Sequence, residues 1–379
     1  MIKIEEIKKA EVEKEYGIFP LTKKYMNYSC IGDFFVPIFF DIDIESVEQV
    51  KKNINVIIKN NDLLRATLSA KNKVIYIHKM PSLIEIKLIE VKNEMEIKEW
   101  IKYLCEELRN RGIEETILYN ICLFRLRHKL HFFGIFNHLI SDGGYDFKYF
   151  IHNINKITVL ENELELFDNY IKKIPRRCND IYYKYKILKG EFTKKYVSDV
   201  VIREQIIINM ERDILRKVSL EDYILERVIT NLQNSFKNEE QIPINIISGR
   251  KKIILGNIIK QVGDFHDEIA IILDSRNSKF LEIYHEELSY PYRNLTEYTS
   301  YDCIPEIDCD VEPIIISIVW DTNNQKNYMK YKGYMPRTKK KYILSIKVLV
   351  SLKLNYFTLC LAYSENLKEQ INSFKKNIG

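Results

Sequence analysis

Short β-rich runs and amphipathic helical stretches alternate along the chain in two successive sets, and this alternation limits the fold more than any single motif. In the first set, residues 32–43 (GDFFVPIFFDID) have strand composition, rich in Phe, Val and Ile. The following stretch places Ile44, Val47, Val50 and Ile54 on one helical stripe. Residues 63–68, 74–78 and 84–91 are short β-rich runs, and 94–111 form a second amphipathic helix. Residues 118–126 and 130–139 are two strands joined by Arg127, His128 and Lys129, the signature of a hairpin. After Gly143 and Gly144 the pattern returns to helix over 145–155, and again over 159–174.

Periodicity fades around Pro175, so a boundary is expected between about 170 and 198 and is set at 175/176, giving lobes of 1–175 and 176–379. The second set has strands at 200–209, 242–248, 268–274, 311–321, 342–350 and 353–363. Its helices begin at Ser219, with a capping-box pattern, at Phe280, and at Ser364, taken as an N-cap. A chain of 379 residues exceeds what one hydrophobic core usually fills, which agrees with two lobes. Runs of strands mixed with helices, without a steady βαβ repeat, predict an α+β plan with mixed sheets.

Composition excludes several classes. A hydrophobic fraction of 46% and a charged fraction of 29% are ordinary for a globular protein. The net charge of +5 is a mild excess, with short basic clusters at 172–177 and 337–341, and no basic arm points to nucleic acid. The N-terminal residues are charged throughout, without the apolar stretch of a secretory signal, and no run reaches the ~18 apolar residues that span a bilayer. Seven scattered cysteines without a CxxC pair support neither zinc nor a disulfide framework, so no metal site and a reduced, cytoplasmic location are expected. No GxGxxG, Walker loop or HExxH occurs. Cys30 and Cys105 lack a nearby histidine, which argues against a thiol nucleophile.

The chemistry concentrates in FGIFNHLISDGGYDF, residues 133–147. The strand entering it carries apolar residues on both faces and so is expected to be buried on both sides. His138 at its end would emerge where sheet meets loop, Gly143 and Gly144 permit a sharp turn, and the next helix offers unpaired amides that favour negative charge. An imidazole there is suited to take a proton from a nucleophile attacking a carbonyl. By spacing alone, ordinary loop chemistry is the favoured reading of His138 and Asp142.

The segment resembles the HHxxxDG motif of the condensation-domain family of nonribosomal peptide synthesis, within the chloramphenicol-acetyltransferase-like acyltransferases; here it reads Asn137, His138, Leu, Ile, Ser, Asp142, Gly143. Further stretches are similar in family order: 19–28 (FPLTKKYMNY), 60–68 (NNDLLRATL), the helix opening SLEDYILERVITNL, NIISGR followed by VGDFHDEIAIILD, and the final strand and helix from LNYFTL. The resemblance implies a V-shaped pair of acyltransferase-like lobes around a tunnel. It implies a donor acyl or peptidyl thioester on the phosphopantetheine arm of a carrier protein met in trans, or on CoA, an amine acceptor, and no bound cofactor or metal. His138 would be base or positioner, and Gly143 would lie near the reacting carbonyl. Asn137 and Asp142 would be structural, with Arg250 the aspartate's partner. His266, Ser317 and Trp320 are candidate tunnel residues. The motif's first histidine is Asn137 here, and Asp267 replaces a family asparagine. The resulting expectation is a free-standing amide-forming acyltransferase of natural-product biosynthesis. An ester-forming O-acyltransferase and a non-catalytic scaffold that docks carrier proteins are the alternatives.

Overall fold

The computed structural model describes residues 3–17, 35–80, 83–141, 144–156, 180–210, 219–248, 267–274, 279–289, 311–320, 341–351 and 356–378. The described residues fall into two compact units, 3–156 and 180–378. The expected division at 175/176 lies outside the described residues, as does the helix expected over 159–174.

The first unit contains β1 (Val12–Gly17), β2 (Phe35–Ile42), α1 (Val47–Asn60), β3 (Ala66–Ser69), β4 (Val74–His78) and β5 (Lys87–Val91). It continues with α2 (Glu94–Arg111), β6 (Tyr119–Leu126), β7 (Lys129–Asn137) and α3 (Gly144–Ile154). Its main sheet has the order β2-β7-β6-β5, antiparallel except that β5 runs parallel to β6. A small antiparallel sheet has the order β1-β4-β3.

Capping residues explain where the helices start. Ser46 accepts the Gln49 amide at the head of α1, and Asn93 accepts the amides of Met95 and Glu96 at the head of α2. The main sheet is covered on both faces. On one face, Phe133 and Ile135 of β7 join Phe124 and Ile89 beneath Ile97, Ile101, Leu104 and Cys105 of α2. On the other, Phe132 and Phe136 pack their rings 5.2 and 5.3 Å from Phe150 of α3. The doubly apolar reading of this strand therefore holds, and the alternation of faces follows directly from the two-residue pleat.

The second unit contains α4 (Asp180–Tyr196), β8 (Val201–Asn209), α5 (Leu220–Ser235), β9 (Gln241–Ser248), β10 (Asp267–Asp274) and α6 (Phe280–Ser289). It ends with β11 (Val311–Trp320), β12 (Lys341–Ser351), β13 (Tyr356–Ser364) and α7 (Lys368–Ile378). One six-stranded mixed sheet has the order β10-β9-β11-β12-β13-β8, with β11 parallel to both β9 and β12. Its isoleucine-rich inner face (Ile244, Ile246, Ile314, Ile316, Ile346, Val348) forms one core with α5, α6 and α7. The whole is an α+β plan with mixed sheets, as the sequence predicts.

Four local readings change. Residues 62–65 form a 3-10 turn ahead of β3, not the start of a strand. The charged N-terminus contributes a strand, β1, whose residues alternate between exposed and half-buried. The stretch where periodicity fades contains α4, which buries only Tyr185, Phe192 and Tyr196 of its described side chains and so carries a thin apolar stripe. Ser364 does not cap a helix through its side chain; its hydroxyl donates to the Tyr196 carbonyl, and a short 3-10 turn precedes α7. Ser219, by contrast, accepts the Asp222 amide at 3.0 Å at the head of α5, as its capping pattern predicts.

Candidate functional site

The candidate site is built by the central hairpin of the first unit. β7 is paired along its length on both edges: Phe35 to Ile42 of β2 lie opposite Asn137 to Leu130, and Tyr119 to Leu126 of β6 lie opposite Phe136 to Lys129. The strand stops at Asn137, and His138 is the first residue beyond it, half-buried, on the turn that leads to α3.

Three bonds from Asn137 hold that turn. Its own amide donates to the Leu118 carbonyl at 2.7 Å, tying the strand end to β6. Its side-chain oxygen accepts the Leu139 amide at 3.0 Å, and its carbonyl accepts the Ile140 amide at 3.1 Å. The middle contact is an Asx turn, in which a short side chain substitutes for a backbone acceptor two residues back. Asn137 is 2% exposed, and Leu139, Ile140 and Ser141 are buried as well. His138 is therefore the half-accessible residue in a run of buried ones, held by a backbone bonded before and after it.

A second histidine, inside β7 itself, makes the contrast clear. His131 pairs through Nδ1 with Asp41 Oδ1 at 2.8 Å and stacks on Phe39 at 5.5 Å. It has the carboxylate orienter that a general base often carries, yet its Nε2 is buried with no hydrogen-bond partner. No nucleophile reaches that nitrogen, so His131 is a packed residue of the sheet.

Of the other expected site residues, Asp142, Gly143, Arg250 and His266 lie outside the described residues. Ser317 and Trp320 lie on β11 of the second unit, Ser317 half-buried and Trp320 at the strand's end. The buried thiols of Cys105 and Cys122 are poor nucleophiles. Burial pushes Cys105 up to about 12, and burial likewise raises Cys122, so both stay protonated. Among the described residues no group of His, Cys, Asp and Glu is arranged to hold a metal ion, and no helix is long and apolar enough to cross a membrane.

A cleft of about 620 Å³ opens at the other end of β7, lined by Asp43, Glu45, Arg125, Arg127, His128 and Lys129 among others. At ~3.4 Å per strand residue it lies roughly 30 Å from His138. It contains none of the expected site residues.

Sequence reasoning missed two polar features. One is the turn-holding role of Asn137, which registered only as a departure from a motif; an asparagine directly after an apolar strand and two residues before a buried leucine was the available signal. The other is a buried pair in the second unit, where Tyr185 of α4 donates to Asn245 of β9. Asn245 is fully buried three residues before Ser248, the end of β9. No local signal marked it, because its partner sits on the helix that periodicity failed to mark.

No protein-family model matches the chain, and no curated protein matches its sequence. Solved structures do match over nearly its full length. The epimerization domain from the third module of tyrocidine synthetase B aligns with 97% of this chain and 97% of its own, at a TM-score of 0.65 and 12% identity. The starter condensation domain of rhizomide synthetase RzmA aligns over 97% and 96%, at 0.64 and 9%. The condensation domain from the Monacolin K polyketide synthase MokA aligns over 97% of both chains, at 0.61 and 8%. The chain thus has the fold of the condensation and epimerization domains of peptide and polyketide synthetases.

Proposed function

We propose that the protein is a cytoplasmic condensation-type acyltransferase that joins an acyl group, carried as a thioester, to an amine. The donor is the phosphopantetheine arm of a carrier protein, or CoA. The amine attacks the thioester carbonyl, His138 takes the proton from the attacking nitrogen, and collapse of the tetrahedral intermediate forms the amide and expels the thiolate. That thiolate then collects a proton, from His138 or solvent, and leaves as the thiol. The developing oxyanion is met by the first amides of α3, where a helix N-terminus favours negative charge, and the family resemblance assigns Gly143 to the same task.

The observation that supports this reading is the placement of His138. It is half-exposed one residue beyond a strand buried on both faces, six residues before α3 begins at Gly144. Rigid sheet elements hold a base more accurately than a loop does. The fold alone does not choose the chemistry, since it carries an epimerization domain as well as condensation domains. One of the similar structures concerns condensation domain-mediated chain release from the enacyloxin polyketide synthase.

The deciding experiment incubates the protein with acyl thioesters of N-acetylcysteamine and a panel of amines. Amide is expected, with kcat/KM falling ~10²–10⁴-fold in His138→Ala, the range for loss of a positioned base. A racemised thioester without amide would reassign the protein to epimerization. Ester from hydroxyl acceptors alone would reassign it to O-acyl transfer, and the absence of any turnover would favour the scaffold. Equal rates in parent and variant would remove His138 from the mechanism.

A further inference from the structure

Residue 137 is where this chain departs from the HHxxxDG motif, and it is also the residue that organises the turn beneath His138. Its side chain is planar at Cγ and carries an acceptor at the δ1 position, aimed at the Leu139 amide at 3.0 Å. A histidine at the same place would offer Nδ1 at the same number of bonds from the backbone. The substitution therefore preserves an acceptor where the turn requires one. The alternative acceptors are committed elsewhere: the Asn137 carbonyl takes the Ile140 amide, and the Leu118 carbonyl takes the amide of Asn137 itself. At 2% exposure, water does not replace the side chain without a rearrangement of the turn.

We infer that Asn137 is a positioning residue for His138, fixing through its side-chain oxygen the backbone that leaves the imidazole. This rests on the acyl-transfer reading for its kinetic consequence, but not for its structural one. The acceptor matters, not the volume. Aspartate, which keeps the oxygen, conserves the function at pH 7.5; leucine, of similar size and without an acceptor, does not.

The test compares Asn137→Asp with Asn137→Leu in the whole protein, using an N-acetylcysteamine acyl thioester and the best amine, together with hydrogen exchange of the Leu139 amide. The leucine variant is expected to lose at least tenfold in kcat with KM for the thioester unchanged within twofold, and to exchange the Leu139 amide at least tenfold faster. The aspartate variant is expected to keep kcat within about threefold and to retain protection. Should the leucine variant not fold, Asn137→Ser and Asn137→Ala make the same comparison, since both remove similar volume and only serine keeps an acceptor. Equal kcat within either pair overturns the inference. If the parent itself turns over no thioester, the acyl-transfer reading fails. The Leu139 exchange rate then decides alone, with parental protection in the leucine variant, or in alanine if leucine is unfolded, overturning the positioning role.

Discussion

At the scale of single residues, the most demanding electrostatic arrangement among the described residues of the first unit is the cluster around Arg65. Arg65 is 4% exposed and bonds Asp62 and Glu13 through 2.6 Å contacts, with a further 2.6 Å bond to the His78 carbonyl. Asp62 is fully buried and has Lys14 as a second partner at 3.3 Å. Arg65 Nε is buried without a hydrogen-bond partner, yet the cluster is costly in halves, because removing one member leaves a buried charge. Arg65→Met should cost about 3–5 kcal/mol in denaturant unfolding, and adding Asp62→Leu should recover part of that loss. A single variant as stable as the parent would show the pair to be dispensable. Arg65 lies within a stretch singled out from sequence for its likeness to a family segment, but its partners were not legible: Glu13 sits on a strand hidden in a charged N-terminus. His138 was legible because it closes an apolar run, whereas one of the bonds that hold its turn runs from Asn137 to Leu118, nineteen positions earlier.

At the scale of elements, β7 admits its aromatic residues only because one position among them has no side chain. A Cβ at Gly134 would lie 2.6 Å from a ring carbon of Phe136 and 3.1 Å from one of Phe132. Those rings are themselves wedged against Phe150, and Phe136 also stacks on Tyr119 at 5.6 Å. Gly134→Ala should therefore cost about 1–3 kcal/mol as overpacking. It should also lower kcat, since Phe136 lies two residues from His138. Calorimetry and thioester turnover test both, and an alanine variant with parental melting temperature and rate would show that the aromatic stack has slack. Most elements were legible to within a few residues because their apolar periods are strong, as in α1, α2, β6 and β9. Those missed, β1 and α4, have few buried side chains, and periodicity reports burial and little else.

At the scale of the whole molecule, each unit carries a separate core, and both keep phenols protonated. Burial is the main cause at Tyr119 in the first unit and at Tyr196, Tyr284 and Tyr363 in the second, raising each; Tyr196 and Tyr363 reach about 12. Glu221, Glu239 and Glu204, which accept from Tyr284, Tyr196 and Tyr363, add to the effect. A folded-state value above the unfolded value near 10 means that the unfolded chain releases these protons first. The stabilisation is therefore complete below about pH 10 and is lost as the pH climbs through about 12. Melting temperature should drop steeply from pH 9.5 upward, and Tyr363→Phe should flatten that slope. An unchanged slope in the phenylalanine variant would exclude Tyr363 from the alkaline transition.

The pairing of β7 on both edges also bears on how this histidine can be altered or transferred. The exit point of the imidazole is counted off from pairings that begin at Ile42 opposite Leu130, eight rows away. Inserting one residue anywhere along those rows would exchange the two faces and deliver the ring beneath α2 instead of into the turn. The site is thus heritable only as a complete hairpin with its flanking strand. A graft of the motif alone onto another sheet would carry the letters and lose the address.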